Sequence, residues 1–237
     1  FAAGSFYLPL KQIRNWAWES GWVVNGFFSW IIAPMVVALL SVPLLFSVLL
    51  GAPPVALMWT FFFGVLWGIG GLTFGLSVRY LGMSLGYGVA LGFCAAFGAI
   101  VPSIYYNINP TEGKVSFTDM MGSQGGQLVL LGVVICLAGI AISGKAGMMK
   151  EGELSKEAQK ASVPEFSLVK GRIIAVVSGI LSSFFNFGIE AGKPMADAAV
   201  AAGLNPLYQN NVTFVVILWG GLTTNLIWTT ILSIRNK

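Results

Sequence analysis

Of the 237 residues, 56% are hydrophobic and only 9% charged, the net charge is +4, and the mean hydropathy is +0.81. Soluble domains carry about 25% charged residues, so this chain lacks the side chains needed to cover a soluble globule. It has no histidine, its two cysteines are Cys94 and Cys136, and it has no nucleotide-binding loop. Zinc and haem spacings, Ser-His and Cys-His catalytic arrangements and an ATP-driven engine are therefore excluded. No enzyme activity, cofactor, metal or nucleic-acid partner is expected, and the partner implied by composition is the lipid bilayer. Both cysteines lie in apolar runs and read as small packed hydrophobes.

No charged residue stands between Glu19 and Arg79. Further charge-free runs separate Arg79 from Glu112, Asp119 from Lys145, Arg172 from Glu190, and Asp197 from Arg235. A helix needs about 20 apolar residues to cross roughly 30 Å of hydrocarbon, and a charge at its centre costs about 2.5–3.5 kcal/mol or more. The expected fold class is therefore all-α transmembrane, a polytopic helix bundle. In chain order the candidate spans are 1–10, 22–50, 56–78, 83–106, 127–144, 172–190 and 209–234, seven in all. The first is half a span long and reads as the end of a truncated helix. The second is long enough to tilt or to kink at Pro34 and Pro43. With the abrupt basic tail at Arg235 and Lys237, the chain reads as a fragment at both ends.

The loops orient these spans. Lys11, Arg14, Arg79, Lys145, Lys150, Lys156, Lys160, Lys170, Arg172, Arg235 and Lys237 fall on one side of the membrane, against Lys114 and Lys193 on the other. Positive residues concentrate on the cytoplasmic side, so the chain is expected to start outside and end inside. The hydrophilic stretch 145–170, with Pro164, reads as a cytoplasmic linker. It follows the fifth span, and an odd number of spans makes a second copy of the same unit insert upside down, as in inverted-repeat transporters. The expected organisation is residues 1–144 as a first five-helix repeat, 145–170 as linker, and 171–237 as the first two helices of a second repeat.

Small residues mark the third and fourth spans: Gly64, Gly68, Gly71 and Gly75, then Gly82, Gly86, Gly88 and Gly92. Their bare faces suit either tight static packing or helices that slide, with Gly70-Gly71 loosening the backbone. Trp16, Trp18, Trp22 and Tyr80 read as interfacial anchors. Trp67 lies mid-span, and its indole can stack on the apolar face of a sugar or serve as a core or lipid-facing side chain. Polar groups inside spans are few: Asn25, Ser29, Thr73, Ser77, Asn186, and Asn225 beside Thr223 and Thr224. Such groups turn toward the bundle interior, either to a ligand or to a neighbouring helix. Glu190 stands four residues after Asn186, on the same helix face. With no histidine present, a proton-carrying role falls to such a carboxylate; the other reading is an ion pair with Lys193 at the span's end. Glu112, Asp119 and Asp197 read as loop residues, and Glu19 as a helix-start charge.

Trp67-Gly68-Ile69-Gly70 followed by Arg79-Tyr80-Leu81-Gly82-Met83-Ser84 resembles the L-rhamnose–proton symporter family. Phe6-Tyr7-Leu8-Pro9 with Lys11, Trp16 and Trp18-Glu19 is similar to that family's first helix exit. Ala191-Gly192-Lys193-Pro194-Met195 and Pro206-Leu207-Tyr208 are similar to its sixth-helix exit and following loop. This chain has Gly71 where the family tends to a polar residue. The resemblance covers essentially the whole chain. It implies the drug/metabolite transporter superfamily, ten helices in two inverted five-helix repeats, and a proton-coupled uptake of L-rhamnose or a related sugar across the bacterial inner membrane. The residues expected to act are Trp67, Asn186 and Asn225 on the sugar, Glu190 on the proton, and Arg79 and Lys193 as gates or anchors. A metabolite or drug exporter of the same superfamily is the alternative, and a seven-helix receptor a further one.

Overall fold

The computed structural model describes residues 16–111, 113–153 and 167–236. Residues 1–10 and the Phe6-Tyr7-Leu8-Pro9 motif lie outside the described residues. Among the described residues the structure is helical with no strand, and six helices are long and apolar enough to cross a membrane.

Helix α1 runs from Trp18 to Ser41 in three registers: α-helical at Trp18–Phe27, π-helical at Phe28–Ile32, and α-helical again at Ala33–Ser41. The π turn sits just ahead of Pro34, where plain α geometry would drive the proline ring into the carbonyl of Trp30. The span expected at 22–50 is not one helix. Val42 is extended (φ −96°, ψ 111°), as the residue before a proline prefers. Leu44 then turns left-handed (φ 53°, ψ 38°), and a separate short helix α2, Leu45–Leu50, follows.

Helices α3 (Pro54–Gly82) and α4 (Leu85–Ile108) are joined by a single sharp break. Gly82 adopts φ 76°, ψ 170°, a backbone state open to glycine and closed to other residues. Helix α5 (Phe117–Gly122) is short, and α6 (Gln124–Glu153) runs past its expected end at 144 into the segment expected to be linker. Helical propensity of its Lys, Glu and Ala residues carries it onward. The remaining elements are α7 (Leu168–Ala191), α8 (Lys193–Ala201), a 3-10 turn at Pro206–Tyr208, and α9 (Asn211–Arg235).

The chain divides into two compact units. The first comprises the residues up to Gly68 and from Gly188 onward. Its apolar core joins Ala38, Leu45 and Val48 of α1 and α2 to Met195 and Ala199 of α8 and to Val212, Val215 and Val216 of α9. Here α1 and α9 are antiparallel, since Glu19 bonds Asn236, Trp22 bonds Asn225 and Ser41 bonds Asn211. Helices α3 and α9 are parallel and meet backbone to backbone. A Cβ on Gly64 would strike the carbonyl of Ile217, one on Gly68 would lie 2.7 Å from the carbonyl oxygen of Gly221, and one on Gly220 would strike the carbonyl of Phe61.

The second unit is Ile69–Phe187. Leu81, Leu85, Val89, Ala90 and Ala175 form its core, with Phe74, Phe93 and Ile140 packed around them. Helices α4 and α7 are parallel, with Gly179 against Ala90 and Gly98 against Asn186. Helices α3 and α7 are antiparallel, with Gly70 against Ser182 and Leu81 against Gly171. Within each unit these directions are the ones that alternating membrane crossings require. The Ser167 N–H donates to the Tyr80 carbonyl (3.1 Å), so the end of α3 meets the start of α7.

The glycine-rich face of α3 is thus not a uniform sliding surface. Gly64 and Gly68 are locked against α9, whereas a Cβ on Gly71 would meet nothing within 4 Å. Gly64→Leu or Gly68→Leu is expected to abolish the folded protein, because the opposing atoms are backbone and cannot yield. Gly71→Ala is expected to be neutral or to stabilise by up to about 1 kcal/mol through helix propensity. Thermal midpoints and monodisperse yield of the detergent-solubilised protein read both outcomes.

Candidate functional site

In the first unit the polar centre is Asn225, only 3% exposed. Its Oδ1 accepts from Trp22 Nε1 (2.9 Å). Its Nδ2 donates to the Gly221 carbonyl (2.8 Å) and, at the long limit, to the Gly68 carbonyl (3.5 Å). One turn on, Thr229 Oγ1 donates to the Asn225 carbonyl (2.8 Å), and Thr224 Oγ1 reaches across to the Val65 carbonyl (3.0 Å). One amide therefore ties α1, α3 and α9 together. Both ends of the Asn225 side chain are engaged within the protein, which makes it a frame for neighbouring groups.

Trp67 lies beside this frame and is partly buried. Its ring carbons would stand 2.6 Å from a Cβ on Gly221, so the indole rests on bare α9 backbone. Trp30 meets Trp67 edge-on (6.2 Å, 79°), and Trp22 meets Trp30 edge-on (5.9 Å, 74°). Trp22 is 6% exposed, which corrects the expectation of an interfacial anchor: its indole N–H is bonded inside the unit instead. The crevice between Trp22, Trp30, Asn225 and Thr229 has no room for a water molecule. A larger hollow of about 520 Å³ in the same unit is lined by Leu49, Leu57, Phe61, Val65 and Trp219 among others. Its apolar wall offers a sugar no hydrogen bonds.

Glu190 and Lys193 end α7 and begin α8. Lys193 Nζ pairs with Asp197 Oδ1 at 2.8 Å, one turn ahead on α8. The Asp197 hydrogen bond and charge hold the Lys193 ammonium above the usual lysine range, and the Glu190 charge adds to this. Lys193 is thus bonded to Asp197 and also lies within reach of the Glu190 charge. Asp197, expected in a loop, stands on a helix. Both groups are solvent-exposed, so the pair adds little to stability.

In the second unit Asn186 is exposed on α7, its amide nitrogen 2.8 Å from where a Gly98 Cβ would lie. Among the described residues no hydrogen bond engages it, which leaves its amide available to a ligand. Arg79 is exposed near the end of α3. In the same unit Ser178 Oγ donates to the Gly70 carbonyl (2.9 Å) and Cys136 Sγ approaches the Gly92 carbonyl (3.9 Å). Cys94 and Cys136 are both free thiols.

Beyond the membrane-length helices, Ser116 caps α5 in a reciprocal box with Asp119. The Ser116 hydroxyl and N–H hold the Asp119 carboxyl below the usual aspartate range. Asn107 Oδ1 accepts from the Thr118 hydroxyl (2.8 Å), and these groups rim a polar hollow of about 380 Å³ with Tyr106 and Lys114.

Sequence reasoning passed over Trp30, Gly221 and the bonded role of Trp22. The available signal is Trp22-Gly26-Trp30, spaced by four and four. A helical side chain leans toward the N-terminus, so Trp30 lies back over Gly26, whose Cβ would stand 2.8 Å from its ring.

Two outcomes follow from this geometry. Asn225→Leu strands the Trp22 N–H in an apolar setting and is expected to destabilise the protein by about 1–3 kcal/mol. Trp22→Phe in the same protein should recover part of that loss, which a double-mutant cycle of thermal midpoints measures. A depressed carboxyl pKa contributes stability that is present above the unfolded value and lost as pH falls through the folded one. Amide exchange over α5, corrected for intrinsic rate, should therefore quicken as pH drops below about 4, and Ser116→Ala should flatten that dependence.

The profile of the L-rhamnose-proton symport protein family, RhaT, matches residues 1–236. An L-rhamnose-proton symporter of Pectobacterium atrosepticum is 41% identical over 225 residues, 95% of this chain and 62% of that protein. L-rhamnose-proton symporters of Cronobacter sakazakii and Yersinia pestis bv. Antiqua are each 39% identical over 95% of this chain, which covers 61% and 62% of their lengths. The chain thus spans about three-fifths of these relatives. No solved structure matches it. The match extends over the Trp67, Arg79, Asn186, Glu190, Lys193 and Asn225 positions alike, and the chain belongs to the L-rhamnose-proton symport protein family.

Proposed function

We propose that the chain serves secondary active transport, the proton-coupled uptake of L-rhamnose or a closely related sugar across the bacterial inner membrane. The observation that carries this reading is the 41% identity, across 95% of the chain, to a protein named as an L-rhamnose-proton symporter. Six helices of membrane-crossing length and apolarity support a multi-pass transporter. The alternating helix directions within each unit support the wider architecture proposed: seven spans of a ten-helix inverted repeat of the drug/metabolite transporter type. In that architecture 1–144 forms the first repeat, 145–170 the cytoplasmic linker, and 171–237 the opening of the second.

Sugar contact is proposed for Trp67, through stacking on its indole, and for Asn186, through its open amide. Asn225 is assigned to the sugar-binding set through the frame it forms beside Trp67. Glu190 is proposed to carry the proton, being the acidic residue inside a membrane-length helix that stands one turn from Asn186. Arg79 and Lys193 are proposed as charged anchors at helix ends.

Labelled L-rhamnose uptake by cells expressing the full-length reading frame tests the proposal, with and without a proton uncoupler. Accumulation that collapses with the uncoupler is expected. Absence of accumulation, with a lowered cellular content of some other compound, would turn the assignment to an exporter. In the symporter, Glu190→Gln is expected to abolish accumulation driven by the pH gradient while sparing exchange of labelled for unlabelled sugar. Unchanged gradient-driven accumulation would remove Glu190 from the proton path.

A further inference from the structure

We propose that Gly221 and Asn225 are positioning residues for the sugar: together they set the plane in which Trp67 presents its indole. The inference rests on the reading of Trp67 as a sugar contact and names what holds that contact in place.

The contacts form a closed circuit within the first unit. Asn225 Oδ1 accepts from Trp22 Nε1 at 2.9 Å. Trp22 meets Trp30 edge-on at 5.9 Å, and Trp30 meets Trp67 edge-on at 6.2 Å. The Trp67 ring lies on Gly221, whose absent Cβ would stand 2.6 Å from it. Asn225 Nδ2 closes the circuit by donating to the Gly221 carbonyl at 2.8 Å. One amide thus fixes both the indole at the far end of the aromatic row and the backbone under the last ring. Stacking depends on ring orientation more than hydrogen bonding does on small shifts of a flexible donor. A platform that binds a rigid pyranose therefore gains from a fixed tilt. Gly26 gives Trp30 the same freedom to lie flat on its own helix, with a Cβ excluded at 2.8 Å. Trp67 itself is partly buried.

A Cβ at position 221 displaces the ring and leaves the rest of the side-chain set intact. In the full-length protein, Gly221→Ala is expected to raise the KM for L-rhamnose about tenfold, with Vmax per inserted molecule little changed. Trp67→Ala should raise KM at least as much, and Gly221→Ala placed in the Trp67→Ala background should add nothing, because the ring it displaces is gone. An unchanged KM for Gly221→Ala, or an undiminished effect in the Trp67→Ala background, would overturn the assignment. If Gly221→Ala yields no inserted protein, Trp30→Ala opens space instead of filling it. It is then expected to raise KM with Vmax held, and an unchanged KM counts against the circuit. Should the wild-type protein not transport L-rhamnose at all, near-ultraviolet circular dichroism of the purified protein reads the ring geometry directly. Gly221→Ala should then lose the aromatic signal that Trp67→Ala loses, and a wild-type spectrum would reject the positioning role on its own.

Discussion

The approach of α3 to α9 along Gly64, Gly68, Gly220 and Gly221 is the contact on which the rest of the first unit depends. Lipid tails are as apolar as leucine, so burial gives membrane helices no net drive to associate, and dispersion and hydrogen bonding at short range must supply it. Backbone-to-backbone contact maximises the first and makes the second possible. The Thr224 hydroxyl reaches the Val65 carbonyl, and the Asn225 amide reaches the Gly68 carbonyl, only because no side chain separates the two helices. The Trp67 indole comes to rest on α9 for the same reason.

Side-chain hydrogen bonds between helices define which of them belong together. Asn225 joins three helices, Asn211 reaches Ser41 (2.9 Å), and Asn236 reaches Glu19 (3.0 Å). These three asparagines lie along one helix and clamp α1 at its beginning, near its start and at its end. In the second unit the equivalent task falls to hydroxyls: Ser178 bonds the Gly70 carbonyl across α7 and α3, while Ser77 and Ser183 bond within their own helices.

The spans were legible from charge alone, since a membrane helix is defined by what it excludes, and the expected spans from 56 to 234 coincide with helices to within a few residues except at the end of α6, which runs on to Glu153. Loop lengths and helix ends were harder. Pro34 looked like a kink, but the π turn before it absorbs the ring and the helix continues to Ser41; Pro43, one of two prolines in the same run, ends it. Nothing in the identity of Leu44 announces a left-handed residue. The candidate site residues stood out one by one, but their connections did not. Asn225 and Trp67 stood out as a polar group and a flat ring in mid-span. Their common neighbour, Gly221, has no side chain to read, and Trp22 was masked by the general habit of tryptophan to sit at interfaces. Pairings across 203 residues of chain, as between Trp22 and Asn225, depend on packing that a single sequence does not display.

The break at Gly82 bears on how the protein is made. Two membrane-length helices joined by so short a turn leave no loop that could wait on one side while the first helix settles alone. As the ribosome delivers α3 and then α4, the pair is expected to leave the insertion channel as one hairpin, its tip carrying Arg79 and its turn set by a single residue with a positive φ. A side chain at position 82 is thus expected to be felt first during biogenesis, as a hairpin that fails to close.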